Sequence, residues 1–287
     1  MLTDPAFIRR LESLNLLARK VLNGSLQADR KSTKKGTGIT FADYAEYYLG
    51  ADYRSIDWRV FARFESLVIK LFEVEEDATI YILLDQSRSM ETKFLYARQL
   101  AASLGYIALN CLDRLAVYGL SDSLSPILDP CRGRGSVMKF LKGLEDANTS
   151  DGDTRFNNAC RLFQARHSRR AVVIVISDFL FPSGFDDGLS YLQWHKHDVY
   201  CLQVQDQLDT KCDLKGDVEL ECVETLQRRK VTISPKEAAL YEQAVADWNT
   251  NLIQSCAKRG IGLASTSPET SFERVIQDIL RRGGLVA

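Results

Sequence analysis

The stretch that decides the fold is Thr79-Ile-Tyr-Ile-Leu-Leu-Asp-Gln-Ser-Arg-Ser-Met90. Six apolar or β-branched residues run without interruption into Asp85, and Ser87 and Ser89 follow closely. A continuous apolar run of this length is typical of a strand that is buried on both faces of a parallel sheet. Ligand sites in open α/β sheets lie just beyond the carboxyl ends of such strands. The stretch therefore predicts a central strand followed by a polar binding loop.

The loop Asp85-x-Ser87-x-Ser89 presents one carboxylate and two hydroxyls in a tight turn. Mg²⁺ and other hard cations prefer oxygen ligands of this kind. Thr154, which precedes a predicted helix, and Asp178, which follows a second apolar run, are expected at the same edge of the sheet. Because Mg²⁺ keeps an open, water-filled part of its octahedral shell, a partner's carboxylate has a position to fill. The alternative is that Ser87, Ser89 and Thr154 cap helices.

The second apolar run is Ala171-Val-Val-Ile-Val-Ile176, and it ends in Ser177 and Asp178. Shorter runs with the same character occur at 115–120, 199–204 and 261–264. They alternate with segments of helical spacing, such as residues 93–112. Strands that alternate with helices predict an α/β fold with a doubly wound, mostly parallel sheet and helices on both faces.

Residues 206–234 interrupt this alternation. Within them, 218–223 and 229–233 are strand-like and lie on either side of a turn, which predicts a small β-hairpin insertion. Ser234 and Pro235 then predict the start of a long helix, with the serine as N-cap and the proline at the first helical position.

Two parts are predicted along the chain, residues 1–66 and the α/β domain of residues 67–287, which contains the hairpin insertion. In the first part, residues 5–22 have helical spacing. Asn23-Gly24 predicts the end of this helix and the start of an exposed, mobile loop up to residue 40.

The segment from Phe41 to Phe64 mixes aromatic and charged residues. In one interpretation it is a wrapped N-terminal segment, whose Asp and Arg side chains pair while its aromatic residues cover the main sheet. In the other it is a partner-binding surface that exposes Arg54, Asp57, Trp58 and Arg63.

The composition is that of an ordinary soluble protein, with 287 residues, 45% of them hydrophobic and 26% charged. Lys and Arg number 37 against 38 Asp and Glu, so no overall charge favours nucleic acid or an acidic membrane. The seven cysteines are scattered without a C-x-x-C pair, which predicts reduced thiols and a cytoplasmic protein. No signal-peptide core and no apolar stretch of about 18 residues occurs, so no membrane span is predicted.

Two sets of residues resemble known families. The loop triplet, with Gly152-x-Thr154 and Ser177-Asp178, resembles the metal-ion-dependent adhesion site of von Willebrand factor A domains. Upstream, Gly50-x-Asp52-x-Arg54-x-Ile56-Asp57-Trp58-x-x-x-Ala62-Arg63 resembles the signature of the bacterial "domain of unknown function 58" family. Together the resemblances cover roughly residues 35–285.

The resemblance implies a von Willebrand factor A-like domain that holds Mg²⁺ or Mn²⁺. By position, its metal ligands would be Asp85, Ser87, Ser89, Thr154 and Asp178. It also implies a cytoplasmic bacterial protein that works with a MoxR-type AAA+ ATPase in the assembly or maturation of other proteins. Three positions of the upstream segment depart from the family pattern: Ala45 stands where Arg is usual, Leu49 where Pro is usual and Ala51 where Asp is usual.

These observations predict a metal-ion-dependent protein-interaction module and not an enzyme. Gln86 and Arg88, which alternate with the ligands, are the predicted contacts to a partner that donates a carboxylate to the metal. The alternative is a Mg²⁺-dependent, phosphatase-like enzyme that uses Asp85 as phosphoryl acceptor, but Ser87 stands where D-x-D-x-T would place a second carboxylate. An extracellular adhesion module, with the same ion chemistry, is disfavoured by the missing secretion signal and the unpaired cysteines.

Overall fold

The structure is a computed structural model that describes residues 1–29, 35–36, 40–48, 52–73, 79–111, 113–150, 155–222 and 227–281. Two compact units result: residues 1–21 with 78–287 form the large unit, and residues 22–77 form the small unit. This division differs from the predicted boundary between residues 66 and 67. The reason is that the strand at 68–73 pairs within the sheet of the small unit.

The helices are α1 (Pro5–Asp29), α2 (Trp58–Phe64), α3 (Phe94–Asn110), α4 (Val137–Asp146), α5 (Phe156–Arg166), α6 (Asp186–Trp194), α7 (Gln207–Thr210), α8 (Pro235–Lys258) and α9 (Phe272–Arg281). The strands are β1 (Lys35–Gly36), β2 (Thr40–Glu46), β3 (Val68–Glu73), β4 (Thr79–Asp85), β5 (Arg114–Leu120), β6 (Leu124–Arg132), β7 (Val172–Ser177), β8 (Asp198–Val204), β9 (Gly216–Glu221), β10 (Arg228–Ile233) and β11 (Gly262–Thr266). Across the ranges given above, no helix has both the length and the apolar character needed to cross a membrane.

The large unit is built on a six-stranded sheet in the order β11-β8-β7-β4-β5-β6. All neighbouring strands run parallel except β5 and β6, which are antiparallel. The predicted doubly wound α/β fold is confirmed. β4 lies inside the sheet between β5 and β7, as its unbroken apolar sequence predicted.

Helices cover both faces of this sheet because successive strand residues point to opposite sides. On one face, Tyr81 and Leu83 of β4 belong to a buried cluster with residues of α5, α6 and α8. Ile82 and Leu84 alternate with them and are fully buried as well. On their side α3 contacts β4, β5 and β7. Burial on both faces explains why β4 has no charged residue before Asp85.

The insertion between β8 and α8 contains the predicted hairpin, and β9 and β10 form an antiparallel sheet of two strands with Val218 opposite Val231. The short helix α7 precedes it. Ser234 caps α8 as predicted, because its side chain accepts a hydrogen bond from Lys236 N while Glu237 bonds back to Ser234 N.

The small unit contains a three-stranded antiparallel sheet in the order β1-β3-β2. The predicted end of α1 at Asn23-Gly24 is wrong, since the helix continues to Asp29. A single glycine costs a helix only about 1 kcal/mol, and Leu26, Gln27 and Ala28 are compatible with helix. Strands also replace part of the loop that was predicted up to residue 40.

Neither interpretation of the segment from Phe41 to Phe64 holds completely. Asp57 is buried and not exposed, and its carboxylate pairs with Lys70 Nζ at 3.0 Å. The hydrogen bond from Lys70, above all, lowers the pKa of Asp57 to about 2. Trp58 and Phe64, by contrast, are 59% and 74% exposed.

Candidate metal centre at the carboxyl edge of the sheet

Two neighbouring parallel strands bring the predicted polar residues to one edge of the sheet. β4 ends at Asp85 and β7 ends at Ser177, directly before Asp178. The two ends touch, because Ser177 Oγ donates a hydrogen bond of 2.6 Å to Asp85 Oδ2. The loop after β4 and the loop after β7 therefore form a single site.

The loop after β4 folds back on its own aspartate. Ser87 N donates to Asp85 Oδ1 at 2.9 Å, and Ser87 Oγ lies 3.0 Å from Ser89 Oγ. A 3₁₀ turn over Arg88–Met90 closes the loop. The D-x-S-x-S spacing thus gathers one carboxylate and two hydroxyls, as predicted from the sequence.

Asp85 is 0% exposed, and its carboxylate is difficult to keep ionised. Burial, and after it the charge of Asp178, raise the pKa of Asp85 to about 7, although the hydrogen bonds from Ser177 and Ser87 act in the opposite direction. A buried carboxylate of this kind is stabilised by a bound proton or by a cation.

Asp178 is equally buried and is held by two different groups. Leu180 N donates to its Oδ1 at 3.0 Å, and Lys93 Nζ lies 2.9 Å from its Oδ2. The backbone of Phe179, which lies between Asp178 and Leu180 in the chain, adopts a left-handed conformation with φ of 60°. The same Lys93 ammonium also lies 2.6 Å from Asp209 Oδ2, on α7 of the insertion.

Lys93 is the functional residue that sequence reasoning missed. The sequence places it at the start of the predicted helix 93–112, where a lysine is ordinarily exposed, but the structure buries it completely. The signal was its spacing: Lys93, the N-cap residue of α3, precedes the buried Ala97 by four residues and Leu100 by seven, which places it in line with a buried face of that helix. Burial alone would lower the pKa of Lys93, but Asp178 and Asp209 raise it above its ordinary value.

The remaining predicted ligand, Thr154, lies outside the described residues, as does Gly152. Its role as a ligand stays a prediction.

Gln86 and Arg88 differ in accessibility. Gln86 is 9% exposed, and its side chain donates to Asn148 O at 2.7 Å and accepts from Ser125 Oγ at 3.3 Å. Its backbone oxygen also accepts a hydrogen bond from Ser150 N at 2.7 Å. Gln86 therefore connects the loop after α4 to the loop after β4, whereas Arg88 is half-buried and reaches the surface.

Gly119 on β5 leaves the space that Gln86 occupies. A Cβ on this glycine would lie 1.7 Å from Gln86 Oε1 and 2.9 Å from Ser125 Oγ. We expect Gly119→Ala to displace the Gln86 side chain and to lower the free energy of unfolding by about 1–3 kcal/mol. Urea denaturation measures this change. Gly135→Ala is the matched control, because a Cβ there meets nothing within 4 Å, and equal stability of the two variants would contradict the packing argument.

The donor set fits a hard divalent cation. Asp85 and Asp178 supply carboxylate oxygens, and Ser87 and Ser89 supply hydroxyls, all of which Mg²⁺ and Mn²⁺ accept. In the part of the chain that is described, no three His, Cys, Asp or Glu side chains gather into a metal-binding group, so the candidate set depends on its hydroxyls. The buried carboxylate of Asp85 gives a cation its main electrostatic reason to bind.

Comparison with known sequences identifies relatives along most of the chain. Residues 43–250 match the model of a family described as "Protein of unknown function DUF58". The uncharacterized protein Rv1480 of Mycobacterium tuberculosis is 23% identical over 286 residues, covering 97% of this chain and 89% of that protein. The uncharacterized protein Mb1516 of Mycobacterium bovis matches to the same extent.

Solved structures with similar folds have low sequence identity. BatB from Bacteroides thetaiotaomicron is 15% identical, with a TM-score of 0.46 over 71% of this chain and 98% of that one. A von Willebrand factor type A protein from Catenulispora acidiphila is 12% identical, with a TM-score of 0.43 over 74% of this chain and 43% of that one. Proximal thread matrix protein 1 from the mussel byssus, solved with a zinc-occupied MIDAS motif, is 11% identical, with a TM-score of 0.43 over 72% of this chain and 46% of that one.

Proposed function

Because this chain belongs to the DUF58 family, a family of unknown function, we propose its function from the site itself: a metal-ion-dependent protein-interaction module. One observation carries the proposal. A fully buried Asp85 with a raised pKa lies beside two converging hydroxyls, at the edge of the sheet where α/β proteins bind ligands. A cation bound there would neutralise the carboxylate, which is otherwise costly to ionise in a buried position.

In this proposal Mg²⁺ or Mn²⁺ is held by the predicted set of Asp85, Ser87, Ser89, Thr154 and Asp178. The bound ion supplies Lewis acidity toward an oxygen ligand from outside the chain. Ser87 and Ser89 add no charge, so the ion keeps much of its attraction for a partner's carboxylate. Arg88, a half-buried residue within the loop after β4, is the first candidate for a direct contact with that partner.

We do not assign an enzymatic role to this site. A phosphoryl acceptor needs an accessible carboxylate, but Asp85 is fully buried and bonded to Ser177 and Ser87. The family resemblance supports a MoxR-type AAA+ ATPase as the partner, a role in assembly or maturation of other proteins, and a cytoplasmic location.

Calorimetric titration with Mg²⁺ and Mn²⁺ tests the metal site. We expect the wild type to bind one ion and Asp85→Ala to bind none, because the variant loses the central carboxylate. Asp278→Ala on α9, an exposed aspartate, is the matched control and should bind like the wild type. Equal binding by wild type and Asp85→Ala would refute the site.

A pull-down with a purified MoxR-type ATPase tests the partner. The proposal expects capture in Mg²⁺, and loss of capture in EDTA or with Asp85→Ala. Capture that is indifferent to both changes would contradict metal-dependent docking. Turnover of a generic phosphoester that disappears with Asp85→Ala would instead support the phosphatase alternative.

A further inference from the structure

Lys93 places a permanent positive charge inside the candidate metal centre. Its side chain is fully buried, and its ammonium bridges Asp178, at the end of β7, and Asp209, on α7 of the insertion. Burying an ammonium is costly unless carboxylates compensate for it. Two short ion pairs, at 2.9 and 2.6 Å, supply that compensation here.

Several bonds fix Asp209 in this position. Its Oδ2 also accepts a hydrogen bond from Asp206 N at 3.0 Å, and Asp209 N donates to Asp206 Oδ1 at 3.1 Å. Thr92, the neighbour of Lys93, donates to Asp206 Oδ2 at 2.8 Å. From α8, Tyr241 Oη donates to Asp209 O at 3.0 Å. The insertion therefore holds the carboxylate of Asp209 in a fixed position beside the site.

The net charge of the buried groups is equal and opposite to the charge of one divalent cation. When their carboxyl groups are ionised, Asp85, Asp178 and Asp209 carry three formal negative charges and Lys93 carries one positive charge, which leaves a net charge of −2. Asp85, Asp178 and Lys93 are almost completely buried, and the side chain of Asp209 is 15% exposed. Solvent therefore screens these charges weakly. Asp206 is partly buried as well, but its carboxylate accepts from Thr92 Oγ1 and Asp209 N and is not one of the two that pair with the Lys93 ammonium, so it is not counted here.

We infer that Lys93 and Asp209 together set the charge of this site so that a single divalent cation neutralises it. Lys93 is a positioning residue in this scheme: it holds Asp178 by one oxygen and does not touch the ion. Asp209 offsets the lysine, so the insertion between β8 and α8 contributes to cation selectivity. This inference rests on the proposed metal site.

A series of charge variants in the full chain tests the inference. Asp209→Asn leaves one negative charge and keeps an oxygen to accept from Lys93. Lys93→Met keeps an unbranched side chain that is one atom shorter, and it leaves three negative charges. The double variant Lys93→Met/Asp209→Asn returns the cluster to two. Calorimetric titrations with Mg²⁺, Mn²⁺ and Tb³⁺ at one fixed, mildly alkaline pH give the affinities, and circular dichroism confirms that each variant is folded.

We expect Asp209→Asn to weaken Mg²⁺ binding by about tenfold or more, because a unit charge near a weakly screened ion has a large effect. Lys93→Met should bind Tb³⁺ more tightly, relative to Mg²⁺, than the wild type does. The double variant should recover an affinity for Mg²⁺ close to the wild-type value. If Lys93→Met does not fold, Asp209→Asn and the double variant still decide the question.

Two failures can be told apart. A wild type that binds none of the three cations overturns the proposed metal site itself. If the wild type binds Mg²⁺ and both Asp209→Asn and the double variant bind it with the wild-type affinity, the metal site stands. The role of Lys93 and Asp209 is then overturned.

Discussion

Asp85→Asn is expected to stabilise the cation-free protein and, at the same time, to abolish its response to Mg²⁺. The buried carboxylate has a pKa raised to about 7 from its ordinary 3.8, so its ionised form destabilises the fold at neutral pH. Each pKa unit corresponds to about 1.4 kcal/mol. Asparagine removes this charge but weakens one of the hydrogen bonds to Asp85, and we expect a net gain of about 1–3 kcal/mol in EDTA.

Thermal unfolding in EDTA and in excess Mg²⁺ measures both effects. A gain of this size raises the midpoint by about 2–4 °C per kcal/mol in a protein of this length. Excess Mg²⁺ at about a hundred times its dissociation constant should stabilise the wild type by about 2.7 kcal/mol and the variant not at all. Asp278→Asn, at an exposed position on α9, is the control for a lost carboxylate. A lower midpoint for Asp85→Asn in EDTA would show that Asp85 is not destabilising.

The Asp85→Asn variant is expected to be more stable than the wild type in EDTA but to gain no stability from Mg²⁺. This combination distinguishes a functional residue from a structural one. A carboxylate retained only for folding would lower stability when replaced. A carboxylate that binds a cation lowers the stability of the cation-free protein, and binding of the cation removes this destabilisation. The buried position of Asp85, at the end of β4, is where such a cost arises, because the strand is covered on both faces.

Much of the fold could be predicted because it depends on local patterns. The apolar runs of β4 and β7 identified the two neighbouring strands, and their polar ends identified the edge where Asp85 and Asp178 meet. Parallel strands connected by helices place successive carboxyl ends at one edge. For that reason the sequence alone brought these two aspartates together, although they are far apart along the chain.

The pairing of Lys93 with Asp209 could not be predicted in this way. These residues are 116 positions apart, and α7 belongs to an insertion whose position follows no general rule of the fold. Gln86 was predicted to contact a partner, and its burial was not foreseen for a similar reason, since the space for its side chain depends on Gly119 of the adjacent strand. A lysine at the start of a helix and a glutamine in a polar loop resemble surface residues until their neighbours in space are known.

The pH dependence of the site provides the second large effect. Because folding raises the pKa of Asp85, the folded protein binds the proton more tightly than the unfolded chain does. The stabilising contribution of this group is complete below its ordinary pKa of 3.8 and is lost as the pH rises through about 7. The cation competes with that proton, so cation affinity must change in the opposite direction.

We therefore expect the dissociation constant for Mg²⁺ to rise about tenfold for each pH unit below 7, since one proton leaves Asp85 for each ion bound. Above pH 7 the dependence should level off. Titrations in buffers of different ionisation enthalpy count the released protons directly, and Asp278→Asn should release the same number as the wild type. An affinity that stays constant from pH 5 to pH 7 would mean that Asp85 is already ionised in the empty site. That result would overturn the coupling between cation binding and the release of a proton from Asp85.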